Sequence, residues 1–370
     1  MEKLDNNVTT VNYDKLDELV RKFQKIFNIF VPVFAFLVSL IVVGIIIKIQ
    51  GGSIIVAYSS LFKSAFGNLN SIGNSLSRAV PLIMAGLGIA IAARANIINL
   101  GAEGQIIVGG IFATYVGINL QGLPTVLHIT LCLLAGFVGG ALCAFIPGYF
   151  NAKHKVNIII TAMLLNDITI GILGALVQGP LKEVGGFSPQ SAQIELSARL
   201  PLFIPGARVH VGIIIALVLA VIAHFILFKT PVGLDTRILG GNPVVARHSG
   251  MQVITMQILL VLIAGGLAGM GGAMEIMGSQ FRLREAFLMN YGYEALAVAL
   301  LGQKSPYGVI IAGVLFGALK AGRGGMVNAA NLPVSFSMVL SGVLILCISI
   351  SPILMKIPRY LAVRNISGNK

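Results

Sequence analysis

The sequence predicts an all-α, polytopic membrane protein of about ten transmembrane helices, arranged as two inverted halves of five. Three observations lead there. Of the 370 residues 56% are hydrophobic and only 11% charged, with a mean hydropathy of +0.91, whereas a soluble domain carries roughly 25% charged residues. A soluble fold could not hide that apolar material without patches that soluble surfaces exclude, and disordered chains are poor in hydrophobic residues. Apolar runs suited to a hydrocarbon core of ~30 Å recur along the chain. The 44 glycines supply the small side chains that let membrane helices approach.

The elements follow in order. Residues 1–28 hold five acidic and five basic side chains, unlike a signal peptide. Leu16, Leu19, Val20, Phe23 and Phe27 recur at helical spacing, which predicts an interfacial amphipathic helix. The first span is 29–47. The Ser-, Gly- and Asn-containing stretch 50–75 is placed outside the membrane. Further spans are expected over 76–93, 104–118, 125–150 and 157–177. A polar, Pro/Gly-containing segment occupies 178–208. A sixth span covers 209–228, a polar loop 229–251, and a seventh span 252–274. After the mixed stretch 275–293 come two short spans, 293–302 and 307–319. A tenth span, 335–355, leads into a basic tail at 356–370. Eight spans would result if the shortest runs do not cross.

The net charge of +13 would suggest nucleic acid in a soluble chain. Here the basic residues are scattered at the ends of apolar runs, so they indicate topology instead. With the N-terminus cytoplasmic, ten crossings return the C-terminus to the cytoplasm. Lys153, His154 and Lys155, the loop 229–251 and the tail then fall inside, and 178–208 falls outside.

An internal repeat supports two halves. Asn99-Leu100-Gly101-Ala102-Glu103 and Asn290-Tyr291-Gly292-Tyr293-Glu294 share N-x-G-x-E, and each precedes a short span on opposite predicted sides. Inverted repeats of this kind place transport sites at their interface, and intramembrane carboxylates are costly unless partnered or hydrated. Candidate pathway residues are therefore Asn99, Glu103, Gln105, Asn166, Asp167, Asn290 and Glu294.

Other chemistries find little support. There is no G-x-x-x-x-G-K-[ST] phosphate loop, no H-E-x-x-H and no G-x-S-x-G. The five histidines suggest no metal site, and the three cysteines (Cys132, Cys143, Cys347) sit in apolar runs as small packing residues. In the loop 229–251, Asn242 can cap a helix with Pro243 in its first turn, and Gly250 can end it. A short helix bearing Arg247 suits a groove on a soluble partner.

Three blocks carry a family resemblance. Gly233-Leu-Asp-Thr-Arg-Ile-Leu-Gly-Gly-Asn-Pro-Val-Val-Ala-Arg-His-Ser-Gly-Met251 resembles the coupling loop of ABC importer permeases of the sugar, nucleoside and branched-chain amino acid superfamily. Ala93 to Gln105 resembles the N-x-G-A-E-G-Q signature of its simple-sugar and nucleoside branch, from which the amino acid branch usually departs. Ala299 to Gly308 resembles a third family block. One departure is Ile158, where many members carry an acidic residue.

The resemblance implies a type II permease architecture like that of vitamin B12 importers, in a bacterial plasma membrane with both termini cytoplasmic. It implies a transport subunit that is not an enzyme and binds no cofactor, with ATP bound by a partner chain. The expected solute is a nucleoside, then a monosaccharide of the ribose or galactose type, then a branched-chain amino acid. Expected partners are an ABC ATPase, a second permease (itself or a homologue), an extracytoplasmic binding lipoprotein and the lipid bilayer, and no nucleic acid. Asp235, Arg237, Asn242, Pro243, Ala246 and Arg247 would couple to the ATPase. Phe281, Arg282, Arg284 and Glu285, with residues 182–199, could meet the binding protein. An ion-coupled secondary transporter would share the repeats and carboxylates but would not need a docking helix; a channel or scaffold subunit would lack energy coupling.

Overall fold

Long apolar runs with few turn residues leave the backbone no partner but itself, and in lipid that selects helices. The computed structural model of the protein describes residues 13–203, 207–287 and 289–354. Thirteen α-helices follow one another: α1 (Tyr13–Ile49), α2 (Ile54–Phe66), α3 (Leu69–Arg94), α4 (Ala102–Asn119), α5 (Thr125–His154), α6 (Ile158–Gln178), α7 (Gly212–Lys229), α8 (Pro231–Gly241), α9 (Pro243–His248), α10 (Val253–Glu275), α11 (Tyr291–Leu301), α12 (Pro306–Ala329) and α13 (Phe336–Leu354). Among the described residues β structure is limited to isolated bridges, such as Gln190 with Arg284.

Seven helices are long and apolar enough to cross a membrane: α1, α3, α5, α6, α7, α10 with its continuation, and α12. The expected amphipathic start and first span form one helix from Tyr13. The side chains of Leu16, Leu19, Val20 and Phe23, and the tail 356–370, lie outside the described residues.

Two segments hold more helix than the sequence reading assigned. The stretch 50–75, placed outside the membrane, holds α2 and the first turns of α3. Its Ser and Lys residues hide an i, i+4 stripe of Ala57, Leu61 and Ala65, all buried, and α2 packs on α12 and α3. The ninth run does not stop at Leu319. α12 continues through Lys320 and Arg323 to Ala329, and both cations find a carboxylate on the neighbouring α11, described below.

α10 is the hub and packs on α3, α4 and α5. Glycine makes this possible: a Cβ on Gly140 would stand 2.2 Å from the Gly265 carbonyl oxygen of α10, so α5 and α10 meet backbone to backbone. The packing partners form two matching sets. α3–α12 answers α10–α5, α4–α10 answers α11–α3, α4–α5 answers α11–α12, and α4–α6 answers α11–α13. Exchanging α3 with α10, α4 with α11, α5 with α12 and α6 with α13 carries one set onto the other.

Candidate functional site

Each copy of the repeated motif begins a helix, α4 or α11, and the two beginnings abut. A Cβ on Gly292 would lie 2.2 Å from the Glu103 backbone nitrogen, so only glycine permits this approach. Asn290, in the left-handed region at φ +67°, turns the chain into α11.

A helix start carries unpaired N–H groups and partial positive charge. Two starts in contact therefore call for an anion, and Glu103 supplies it. It sits in the first turn of α4, yet its Oε1 accepts from the Asn290 N–H and its Oε2 from the Gly292 N–H, both at 2.6 Å. Around it the polar groups are closed on one another. Asn99 and Gln105 form a reciprocal amide pair at 2.9 and 3.1 Å, and Asn99 Oδ1 also accepts from the Gly101 N–H. Asn166 of α6 accepts from the Gly104 N–H at 2.9 Å and donates to the Leu100 carbonyl at 2.9 Å. Asn99, Glu103, Gln105 and Asn166 are all buried.

Glu294, one turn into α11, is also buried but held differently. Lys320 Nζ donates to Oε2 at 2.6 Å, Ser341 Oγ donates to Oε1 at 2.7 Å, and Arg323 Nη1 lies 3.5 Å from Oε1. Arg323 also donates to Ser341 Oγ, and Lys320 lies over the Tyr291 ring. The sequence reading missed Lys320, Arg323 and Ser341. The available signal was two cations three residues apart inside an apolar run, in a chain with few acids to meet them. The space beside this cluster is about 10 Å³, room for about one water and no solute.

Six of the seven pathway candidates thus come together around the two helix starts. Asp167 does not. It follows buried Asn166 but faces outward in mid-α6, among exposed Leu164, Ile168 and Ile170.

The coupling candidates lie at one end of α7 and α10. Here the structure holds two helices where one was expected. α8 starts with Thr230 as cap and Pro231 in its first turn. Gly240 rests on the end of α3, where a Cβ would lie 2.0 Å from the Arg94 carbonyl oxygen. Asn242 ends α8 and caps α9, accepting from the Val244 and Val245 N–H groups. α9 closes with Gly250 at φ +83° and paired bonds from Gly250 N–H to Arg247 and from Met251 N–H to Ala246, the glycine-ended helix stop. Of 242–250 only Ala246 is buried; Val244, Val245 and Arg247 stand exposed and Asp235 is half-covered. Arg94 and Arg237 both lie over Phe228, and Arg94 donates to the Lys304 carbonyl. All three sequence blocks therefore meet at this end. Asn157 caps α6 through the Ile159 N–H, so Ile158 serves as an ordinary first helical residue.

At the opposite end, residues 182–199 and 281–285 form one ridge. Arg282 pairs with Glu183 at 3.0 Å, the Ser191 N–H donates to the Leu283 carbonyl, and Gln178 donates to Glu285.

Comparison with known proteins decides the family. Residues 71–349 match the family described as branched-chain amino acid transport system / permease component. The chain belongs to this family. It is an ABC permease, a transport subunit rather than an enzyme. A glucose ABC transporter permease of Haloferax volcanii is 34% identical, with 85% of each chain covered. A guanosine ABC transporter permease of Bacillus subtilis is 32% identical over 84% of this chain and 88% of its own. A nucleoside ABC transporter permease of Lactococcus lactis subsp. cremoris is 30% identical over 81% of this chain and 85% of its own. The permease is multi-pass, and its family implies ATPase and substrate-binding partners.

Proposed function

We propose that the permease takes up nucleosides, in a complex with two cytosolic ABC ATPases, a second permease subunit and an extracytoplasmic binding lipoprotein. The observation that carries the coupling half of this reading is the α8–α9 pair. It is firmly seated on α3 and α7, capped at both ends, and presents Val244, Val245 and Arg247 outward. Such a unit passes a push to α7 and α10, which flank it directly in sequence. The nucleoside half rests on the A-E-G-Q block and on the guanosine and nucleoside relatives. The glucose relative keeps a monosaccharide as the second solute and a branched-chain amino acid as the third.

The matching packing sets support two inverted halves, with α4, α11 and α13 supplementing the seven long helices to give ten crossings. In this topology residues 1–28, the coupling loop 229–251 and the tail 356–370 are cytoplasmic, 29–355 is the transmembrane unit, and 178–208 is extracytoplasmic. Asp167, exposed on this subunit, then faces the second permease. The ridge of 182–199 and 281–285 meets the binding protein.

The test is uptake into proteoliposomes holding the whole complex. Replacing 242–247 by a Gly/Ser linker should abolish ATP-driven guanosine uptake while the permease still purifies folded. Uptake that survives this replacement, or that collapses with an uncoupler instead of with ATP depletion, overturns the reading in favour of an ion-coupled carrier.

A further inference from the structure

At the end of the bundle away from α8 and α9, the first turns of α3, the end of α10 and the approach to α11 line a half-open cavity of about 780 Å³. That volume falls within the range of small-molecule sites. Glu275, the last residue of α10, is one of its walls and is only 6% exposed. Its Oε1 accepts one long bond from Gln280 Nε2 at 3.3 Å, and among the described residues its Oε2 has no hydrogen-bond partner. This is the opposite of Glu103 and Glu294, whose oxygens are all engaged. A buried acceptor left unmatched is costly unless something from the cavity completes it.

The backbone at this wall is also unusual. α10 does not stop at Glu275 but passes into a π-helical turn, Ile276–Gln280, ended by Phe281 at φ +56°. Such turns widen a helix and concentrate at functional sites. This one lines the cavity with Gly278, Ser279 and Gln280. Across the cavity stand Arg78, donating to Asn74 Oδ1 at 3.2 Å, and Tyr291. The wall thus combines an acceptor-rich corner with guanidinium and aromatic surfaces. Carboxylate and amide acceptors suit sugar hydroxyls, while an Arg side chain stacks on or hydrogen-bonds to a purine. Tyr291 also touches Lys320, so the occupant would sit one side chain from the Glu294 cluster.

We propose that this cavity is a solute site within the single permease subunit, taking a cyclic polyol, with Glu275 as acceptor for vicinal hydroxyls. The proposal rests on the uptake reading above. The polyol could be the ribosyl ring of a nucleoside or a free sugar, and the experiment separates them.

Ser279 is replaced by Cys in a complex whose Cys132, Cys143 and Cys347 are Ala, and its modification by a membrane-impermeant maleimide is timed in nanodiscs. Saturating guanosine should slow the reaction at least about fivefold, and Glu275→Gln should remove that protection and lower guanosine uptake about tenfold, the scale of one lost charged hydrogen bond. Recovery of the assembled complex by size exclusion checks the fold of Glu275→Gln; if that variant does not assemble, protection at Ser279→Cys decides alone. Protection by glucose but not guanosine supports the cavity's polyol chemistry and overturns the nucleoside reading. No protection by either solute, in a complex that still takes up guanosine with ATP, overturns the cavity site and leaves the uptake reading standing. Absence of ATP-driven uptake in the unmodified complex overturns the uptake reading itself.

Discussion

Glu103 and Glu294 occupy the same place in two copies of one motif, yet the protein neutralises them by different means. Glu103 is held by two backbone N–H groups of the other half, at the start of α11. Glu294 is held by side chains, from Lys320 and Arg323 of α12 and Ser341 of α13. The first carboxylate stitches two helix beginnings together, and its partners are indifferent to which side chain stands there, proline excepted. The second belongs to an ion cluster that a few substitutions could dismantle. A repeat can therefore keep its geometry while its two copies diverge in chemistry.

The largest effect that sharpens this comparison is at Glu294. Replacing it with Ala leaves Lys320, itself buried, without the carboxylate it is hydrogen-bonded to. Removing one partner of a buried pair costs about 3–5 kcal/mol. Glu294→Ala should therefore sharply lower the thermal unfolding temperature of the detergent-purified complex. Adding Lys320→Met should recover most of the loss, since exchanging a whole buried pair for apolar side chains is often neutral. A double variant no more stable than the single one would show that the cluster is not held by this pair.

Glu103→Gln should cost less, about 2–3 kcal/mol, because one charge-assisted bond to backbone is weakened and the other turned against an amide. The contrast lies in rescue. A side-chain exchange at Lys320 leaves the Asn290 and Gly292 backbone N–H groups in place, so Lys320→Met should leave Glu103→Gln as unstable as before in the same melting assay. Rescue there would mean that the two carboxylates share one cation, and the distinction between the copies would collapse.

How far these sites were legible in the sequence follows the same line. Asn99, Glu103, Gln105, Asn290 and Glu294 stood out because polar residues are rare in this chain and these recur as a motif. Their partners did not. Backbone N–H groups have no letter in a sequence, so the seat of Glu103 became visible only when Gly292 let two helix starts touch. Lys320 and Arg323 were visible but were taken as the end of a span, because a cation in an apolar run signals an interface until its counter-ion is found. α2 was masked in the same way by the serines and lysine interspersed between its buried positions. The capped helix at 242–250 was legible because Asn-Pro and Ser-Gly carry their conformations locally. α8, begun by an equally local Thr-Pro, was overlooked beside it. Asp167 was grouped with Asn166 by adjacency, yet successive helical residues point about 100° apart, and the two side chains face different surroundings.

The smallest effect tests whether the asymmetry extends beyond the carboxylates. Asn166 of α6 braces mainly the first copy, through the Gly104 N–H and the Leu100 carbonyl at 2.9 Å, and reaches the second only by a long bond to the Tyr293 hydroxyl at 3.5 Å; among the described hydrogen bonds no Asn of α13 braces the second. Asn166→Ala removes both bonds to the first helix start and the long one to Tyr293, and the freed Gly104 N–H retains the helix-end option of water. The expected cost is about 1–2 kcal/mol, a modest drop in the complex's melting temperature. Because Asn166 steadies α4 rather than Glu294, its effect should add to that of Glu294→Ala when the two are combined, as independent sites do. A combined loss well below the sum would show that the two helix starts yield as one unit, and that the stitch made by Glu103 transmits between the halves.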